Sequence, residues 1–301
     1  MKFFTALLSL ALLRSVAATA LRKERLLAMG YSDSVGRTKL MPMCAAAYAE
    51  DPLPCVQNFF DRTRVELFGS ADSHCDMAGD TCSALVVVSH EDSAIIVAFR
   101  GAENAQELND LLSQKNLELT DFPGGGQVAK WFLDAVTNLE RNGLKDLYLA
   151  ARNGNPDYQV WVTGHNIGGA LASLYAATLI HREQADPDKL LLMTFGQPRV
   201  GDQEFAAAHD QIVENSFRVV HARDGIVHLP PLKLTPFTHH KDEIWYDNDM
   251  KSGDTWQTCQ GDDKGCSDNG FLTNSLLDDY YYYHTPDSMT KWGQKGCPPY
   301  Q

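Results

Sequence analysis

Residues 158–180 restrict the fold of this chain more than any other stretch. Tyr158–Thr163 reads as a buried strand and Gly169–Ile180 as a helix of small and apolar residues. Between them stands Gly164-His165-Asn166-Ile167-Gly168. Glycines at both ends of that pentapeptide allow a sharp turn and a close approach of helix to strand, and they lift the central residue over the sheet edge. This is the context of a G-x-S-x-G nucleophile elbow, with Asn166 where the serine would stand. A carboxamide has no ionisable proton for a base to remove, and its nitrogen lone pair is delocalised into the carbonyl. The turn that presents a nucleophile is present; the nucleophile is not.

The surrounding pattern fits such a turn. Apolar runs at Ala84–Ser89, Ser93–Phe99, Tyr158–Thr163, Leu190–Phe195 and Phe217–His221, with a weaker one at Glu243–Tyr246, are mostly continuous rather than alternating. That is the signature of strands covered on both faces. Helical patterns lie between them. Gln127–Arg141 carries Val128, Trp131, Phe132, Ala135, Val136 and Leu139 and stops at Asn142-Gly143, and Asp202–Val213 aligns Phe205, Ala208 and Ile212. Strands alternating with helices predict an α/β fold with a central, mostly parallel sheet and helices on both faces. Ligands of such a fold sit above the carboxyl ends of the strands, where the elbow lies. No repeat, long linker or low-complexity tract interrupts residues 39–290.

Residues 1–20 read as a secretory signal peptide: Lys2, an apolar core from Phe3 to Leu13 too short to span a bilayer, and a small-residue cleavage site at Ala18-Thr19-Ala20. A single domain over 21–301 is the expectation for the rest. Removing Lys2 and Arg14 takes the net charge from −13 to −15. That acidity argues against a nucleic-acid partner and against electrostatic docking to anionic lipid. No later run is long and apolar enough for a transmembrane segment. Seven cysteines suit an oxidising route. Cys75/Cys82 and Cys259/Cys266 each close a short loop and are read as local disulfides. Cys297 is left to pair with Cys55 or Cys44, with one thiol spare. Zinc is the competing reading, but the spacings lack a C-x-x-C pair. No metal and no cofactor are expected.

Five segments then fall in a recognisable order: Phe99-Arg100-Gly101, the elbow, Thr194–Gly201, Arg223–Pro231, and His239-His240 with Glu243–Tyr246. Over roughly residues 39–290 the chain resembles the class 3 (fungal lipase-like) family of α/β-hydrolases, and most of all its secreted nematode-type branch. The resemblance implies an esterase fold acting on triacylglycerols and related esters through a Ser–Asp–His triad, an oxyanion hole and a mobile lid. It places Asn166 at the nucleophile position and Asp224, retained, at the triad acid position. The family histidine comes from a late Asp-His-x-x-Tyr segment. Here the stretch from Leu276 to Tyr283 puts Asp279 in that slot, or Tyr280 if the register slips by one. Neither shuttles a proton near neutral pH as imidazole does. The oxyanion-hole positions are Ala102, where family members carry Thr or Ser, and Ile167; their backbone N–H groups remain as donors.

Other features have both plain and functional readings. His284, one helical turn past the expected slot, is either a surface histidine or a displaced base. His165 within the elbow is read as packing, and His239 and His240 as fold maintenance rather than metal ligands. Asp224, without an imidazole to orient, is free to hydrogen-bond Asn166. Glu103–Leu119 falls where the family carries its lid, with Leu108, Leu111 and Leu112 on one side; an amphipathic surface helix fits it equally well. Tyr280–Tyr283 is either a packed segment or a binding surface. The reading that emerges is a secreted lipase-like pseudoenzyme with a lipid- or ester-binding groove. The alternatives are an active lipase or carboxylesterase with an unconventional nucleophile and base, and a secreted protein-binding factor without a ligand pocket.

Overall fold

A computed structural model describes residues 30–75, 81–103, 117–268 and 275–299. Residues 1–20, read above as a signal peptide, and most of Glu103–Leu119, read as a lid or a surface helix, lie outside these residues. Cα packing divides the chain into Met1–Ser32 and Asp33–Gln301, and the second unit is described below.

Its centre is an eight-stranded sheet. In chain order the strands of the fold are β1 (Val65–His74), β2 (Thr81–Ser89), β3 (Ala94–Phe99), β4 (Leu119–Asp121), β5 (Gln127–Ala129), β6 (Gln159–His165), β7 (Leu190–Phe195), β8 (Gly201–Asp202), β9 (Ser216–His221), β10 (Phe237–Thr238), β11 (Glu243–Tyr246) and β12 (Gln257–Cys259). The large sheet runs β1-β2-β3-β6-β7-β9-β11-β12, and β10-β8-β5-β4 form a small second sheet. From β3 to β11 every neighbour in the large sheet is parallel; its antiparallel pairs are made by β1, β2 and β12 at the margins. The sheet is therefore mostly parallel at its core, as the continuous apolar runs predicted. β3 and β7 are buried along their whole length.

Burial explains the helix after the elbow. Ile167–His181 is buried from Ile167 through Leu179, with β3, β6 and β7 on one side and the helices Lys130–Leu139 and Gln203–Ile212 on the other. A helix apolar on all sides is stable only when enclosed in this way. The amphipathic pattern at 127–141 resolves differently from expectation. Residues 127–129 join the small sheet, and the helix proper is Lys130–Leu139. Non-helical angles at Asn142 and Gly143 (φ 117°) mark its end, at the turn signal. Asp202 caps the helix Gln203–Ile212 by accepting from the Phe205 N–H at 2.8 Å.

The cysteine expectations resolve fully. Cys75–Cys82 and Cys259–Cys266 are local disulfides, and Cys55–Cys297 bridges 242 residues of sequence. Cys44 is the free thiol; it is fully buried against Thr163 and so unavailable to join two chains. No helix among the described residues is long and apolar enough to cross a membrane.

Candidate functional site

Asn166 lies at the carboxyl end of β6, directly before the helix Ile167–His181, with φ 56° and ψ −128°. Any residue with a Cβ is strained in that conformation; at an elbow the surroundings impose it. The glycines explain how. A Cβ on Gly164 would stand 2.1 Å from the Gly168 carbonyl oxygen, and one on Gly168 would stand 2.3 Å from the Phe99 carbonyl oxygen. Strand and helix thus meet closer than any side chain permits. The Asn166 N–H donates to the Phe195 carbonyl at 2.8 Å, tying the turn to β7.

The Asn166 carboxamide is engaged at both ends. Its Oδ1 accepts from the Ile167 N–H at 2.6 Å, and its Nδ2 donates to Asp279 Oδ2 at 2.9 Å. Two expectations change as a result. Asn166 bonds Asp279 rather than Asp224, and the Ile167 N–H is not a standing donor for a ligand oxygen. Asp224 is satisfied elsewhere: Oδ1 accepts from the Ile226 N–H at 2.8 Å and Oδ2 from the Tyr282 hydroxyl at 2.7 Å. Asn166, Asp224 and Asp279 are all buried. Burial, then the neighbouring Asp279 carboxylate, pushes the Asp224 carboxyl well above the usual carboxylate range, against the pull of Tyr282, Ile226 and His165.

His165 is more than packing. Its Nε2 lies 2.7 Å from the Asp279 backbone oxygen, and its Nδ1 2.9 Å from Tyr48 Oη. A carbonyl only accepts, so Nε2 carries the hydrogen. Burial lowers the basicity of this imidazole, but Asp279, through charge and hydrogen bonds, raises it further, and the net shift is upward. Tyr48 escaped the sequence reading, and Tyr282 entered it only as part of the run Tyr280–Tyr283. Tyr282 had a signal: it stands three residues after Asp279, at the tyrosine of the Asp-His-x-x-Tyr pattern. Tyr48, far away in sequence, had none.

The order of these pieces matches one known group. The family model for class 3 lipases matches residues 96–234. A lipase of Caenorhabditis elegans is 33% identical over an alignment covering 89% of this chain and 83% of that protein. The chain belongs to the class 3 lipase family. The solved triacylglyceride lipase of Rhizomucor miehei superposes with a TM-score of 0.73 at 25% identity, covering 87% of this chain and 98% of its own. A secreted mono- and diacylglycerol lipase of Fusarium solani is 33% identical over 54% of this chain and 47% of that protein. The class 3 lipase fold is thus that of an α/β-hydrolase, with the elbow at the carboxyl ends of the parallel strands.

The remaining candidates of this lipase-family chain are placed as follows. Ala102 is buried. His284 is exposed. Tyr282 and Tyr283 are buried and Tyr281 is exposed, so the tyrosine run is largely a packed segment. His239 Nε2 sits 2.7 Å from the Val227 carbonyl oxygen. His240 Nε2 is 3.0 Å from both Ser173 Oγ and Gln197 Nε2. Burial lowers the basicity of both, and of His209, to about 3 in the last case. His209, Asp210 and His240 bring potential ligand atoms within 4.8 Å of one another. The two rings, however, stack at 3.9 Å with 18° between their planes, so their in-plane lone pairs run side by side instead of converging on an ion.

Proposed function

We propose that this protein is a lipase-fold pseudoenzyme: it has lost ester hydrolysis and binds a lipid, fatty acid or ester without turning it over. The observation that carries this reading is the Asn166–Asp279 hydrogen bond. In the family pattern Asn166 holds the nucleophile position, Asp224 the triad acid position and Asp279 the histidine position; the Tyr282–Asp224 contact favours that register over one placing Tyr280 in the slot. A serine and its base would face each other there. Here a carboxamide faces a carboxyl group, and neither can generate an alkoxide.

Magnitudes support inactivity. Removing such residues from a model protease cost about 10⁶ in rate and left roughly 10³–10⁴ over water from the oxyanion hole and binding. That remainder needs donors at the oxyanion positions. At Ile167 the donor is engaged by Asn166 Oδ1, and Ala102 supplies no hydroxyl. We also propose that residues 1–20 direct secretion and that 21–301 form one mature domain, consistent with three disulfides. The test of the binding reading is titration of the mature chain with a fluorescent fatty acid and a fluorescent ester. Saturable, displaceable binding with the ester recovered intact is expected. No binding of either probe overturns the lipid-binding reading in favour of a protein-binding surface.

A further inference from the structure

A polar groove of about 960 Å³ is separated from the elbow by Tyr48. One wall is the stretch 47–51 that follows the helix Met41–Ala46, a second is Asp72, Thr81 and Ser83 on β1 and β2, and a third is Gln294–Gly296 at the end of the helix Met289–Gln294. Arg100, directly after β3, joins them. These walls are fixed to one another. Cys55–Cys297 ties the helix Leu53–Phe59 to the C-terminal segment, and Asn58 Nδ2 donates to the Gly296 carbonyl at 2.9 Å. A Cβ on Gly293 would stand 1.9 Å from the Ala45 carbonyl oxygen, so the C-terminal helix lies directly on Met41–Ala46. Cys75–Cys82 links the end of β1 to the start of β2. The groove is therefore preformed, and an occupant need not order it. On the elbow side, the Tyr48 hydroxyl lies 2.9 Å from His165 Nδ1. A Cβ on Gly101 would stand 2.4 Å from that hydroxyl and 3.1 Å from Asn166 Cβ. Tyr48 and Gly101 thus stand between the groove and Asn166, which does not line it.

The lining narrows the class of ligand. Its apolar residues are Ala47, Ala49 and Pro54 besides the Tyr48 ring, too little surface to hold an acyl chain. Both cations are engaged: Arg100 donates to Glu103 and Thr81, and Lys295 Nζ lies 2.6 Å from Asp287. An anion would therefore meet no unpaired cation, and it would face the carboxylates of Glu50, Asp51 and Asp72. A simple cation would have Arg100 and Lys295 as neighbours in the same groove. Neutral ligands remain. Glu50, Asp72 and Gln294 are exposed, stand on three different walls and make no hydrogen bond or ion pair with any described residue. Between them they offer two pairs of carboxylate acceptors and a carboxamide that both donates and accepts, and Ser83 adds a hydroxyl. That inventory matches a molecule presenting several hydroxyl groups, each of which donates and accepts. We propose that the groove binds a neutral, polyhydroxylated ligand, a saccharide of about two rings by its volume, as a site distinct from the one at Asn166. The proposal goes beyond the lipid-binding reading and does not depend on it.

The experiment is saturation-transfer NMR on the purified protein with three neutral disaccharides: cellobiose, lactose and N,N′-diacetylchitobiose. Spermidine and inositol hexakisphosphate serve as the cationic and anionic probes. Saturable binding of at least one disaccharide, with a Kd on the order of 1 mM or tighter, is expected. Asp72→Ala should raise that Kd about tenfold and Gln294→Ala about threefold, for the loss of a charged and of a neutral hydrogen bond respectively. Both side chains are exposed and without protein partners, so the melting temperature should not move. Should either variant fail to fold, the other decides together with Glu50→Gln. Absence of saturable disaccharide binding overturns the proposal. So does preferential binding of spermidine or inositol hexakisphosphate, or disaccharide binding that none of these substitutions weakens.

Discussion

Asn166 keeps the backbone of a nucleophile while its side chain does the opposite of a nucleophile's work. A serine hydroxyl at this point would have one proton to give and would need a base to take it. The carboxamide instead ties the Ile167 N–H to the Asp279 carboxyl and closes the gap between them. On the proposed reading, restoring the reaction takes more than one residue. Asn166→Ser alone is expected to leave ester hydrolysis at background, because no base faces the hydroxyl. Asn166→Ser with Asp279→His should raise the rate by on the order of 10²-fold, the lower range for a positioned general base, and adding Ala102→Thr should raise it again. Steady-state assays on a short-chain ester check the series; robust turnover by the single variant would mean that another base serves the site. That Asn166, Asp224 and Asp279 come together was legible in the sequence because motif order carries position, and the fold brings Asn166 to Asp279. The partner of Asn166 was not, since choosing between two aspartates 55 residues apart depends on a distance that only the folded chain sets.

The elbow is the element on which the site depends. β6 and the helix Ile167–His181 converge at Gly164 and Gly168, and a methyl group at Gly164 would lie 2.1 Å from the Gly168 carbonyl oxygen. Backbone cannot yield as a flexible side chain does, so Gly164→Ala is expected to cost about 3 kcal/mol or more. Denaturant unfolding measures this, and a loss under about 1 kcal/mol would show that the turn tolerates a wider spacing. The buried parallel strands were legible because continuous apolar runs identify strands covered on both faces. β1 was not, since Val65–His74 mixes exposed and half-buried positions with Gly69 and Ser70 and has no such run. The two- and three-residue strands of the small sheet are too short to have a periodicity; tertiary pairing alone defines them.

Across the whole molecule, buried ionisable groups set the pH range in which the fold holds. His209, His239 and His240 are buried with their basicity lowered, His209 from 6.5 to about 3. A histidine kept neutral in the fold binds fewer protons than the unfolded chain between those values, so stability falls as pH drops below about 6.5. The melting temperature should decline through that range; a profile flat down to about pH 4 would contradict the neutral-imidazole assignment. The proposed secretion agrees with a Cys55–Cys297 bridge across most of the chain. The family and the sheet were readable from motif order and apolar runs, whereas which cysteine met Cys297 was settled only by the fold. Whether the protein hydrolyses esters is the decisive property. Its most direct test is hydrolysis of short-chain and long-chain p-nitrophenyl esters by the mature chain, measured beside Asn166→Ala. No turnover above that variant is the predicted result; turnover by the wild type that disappears in Asn166→Ala would contradict it.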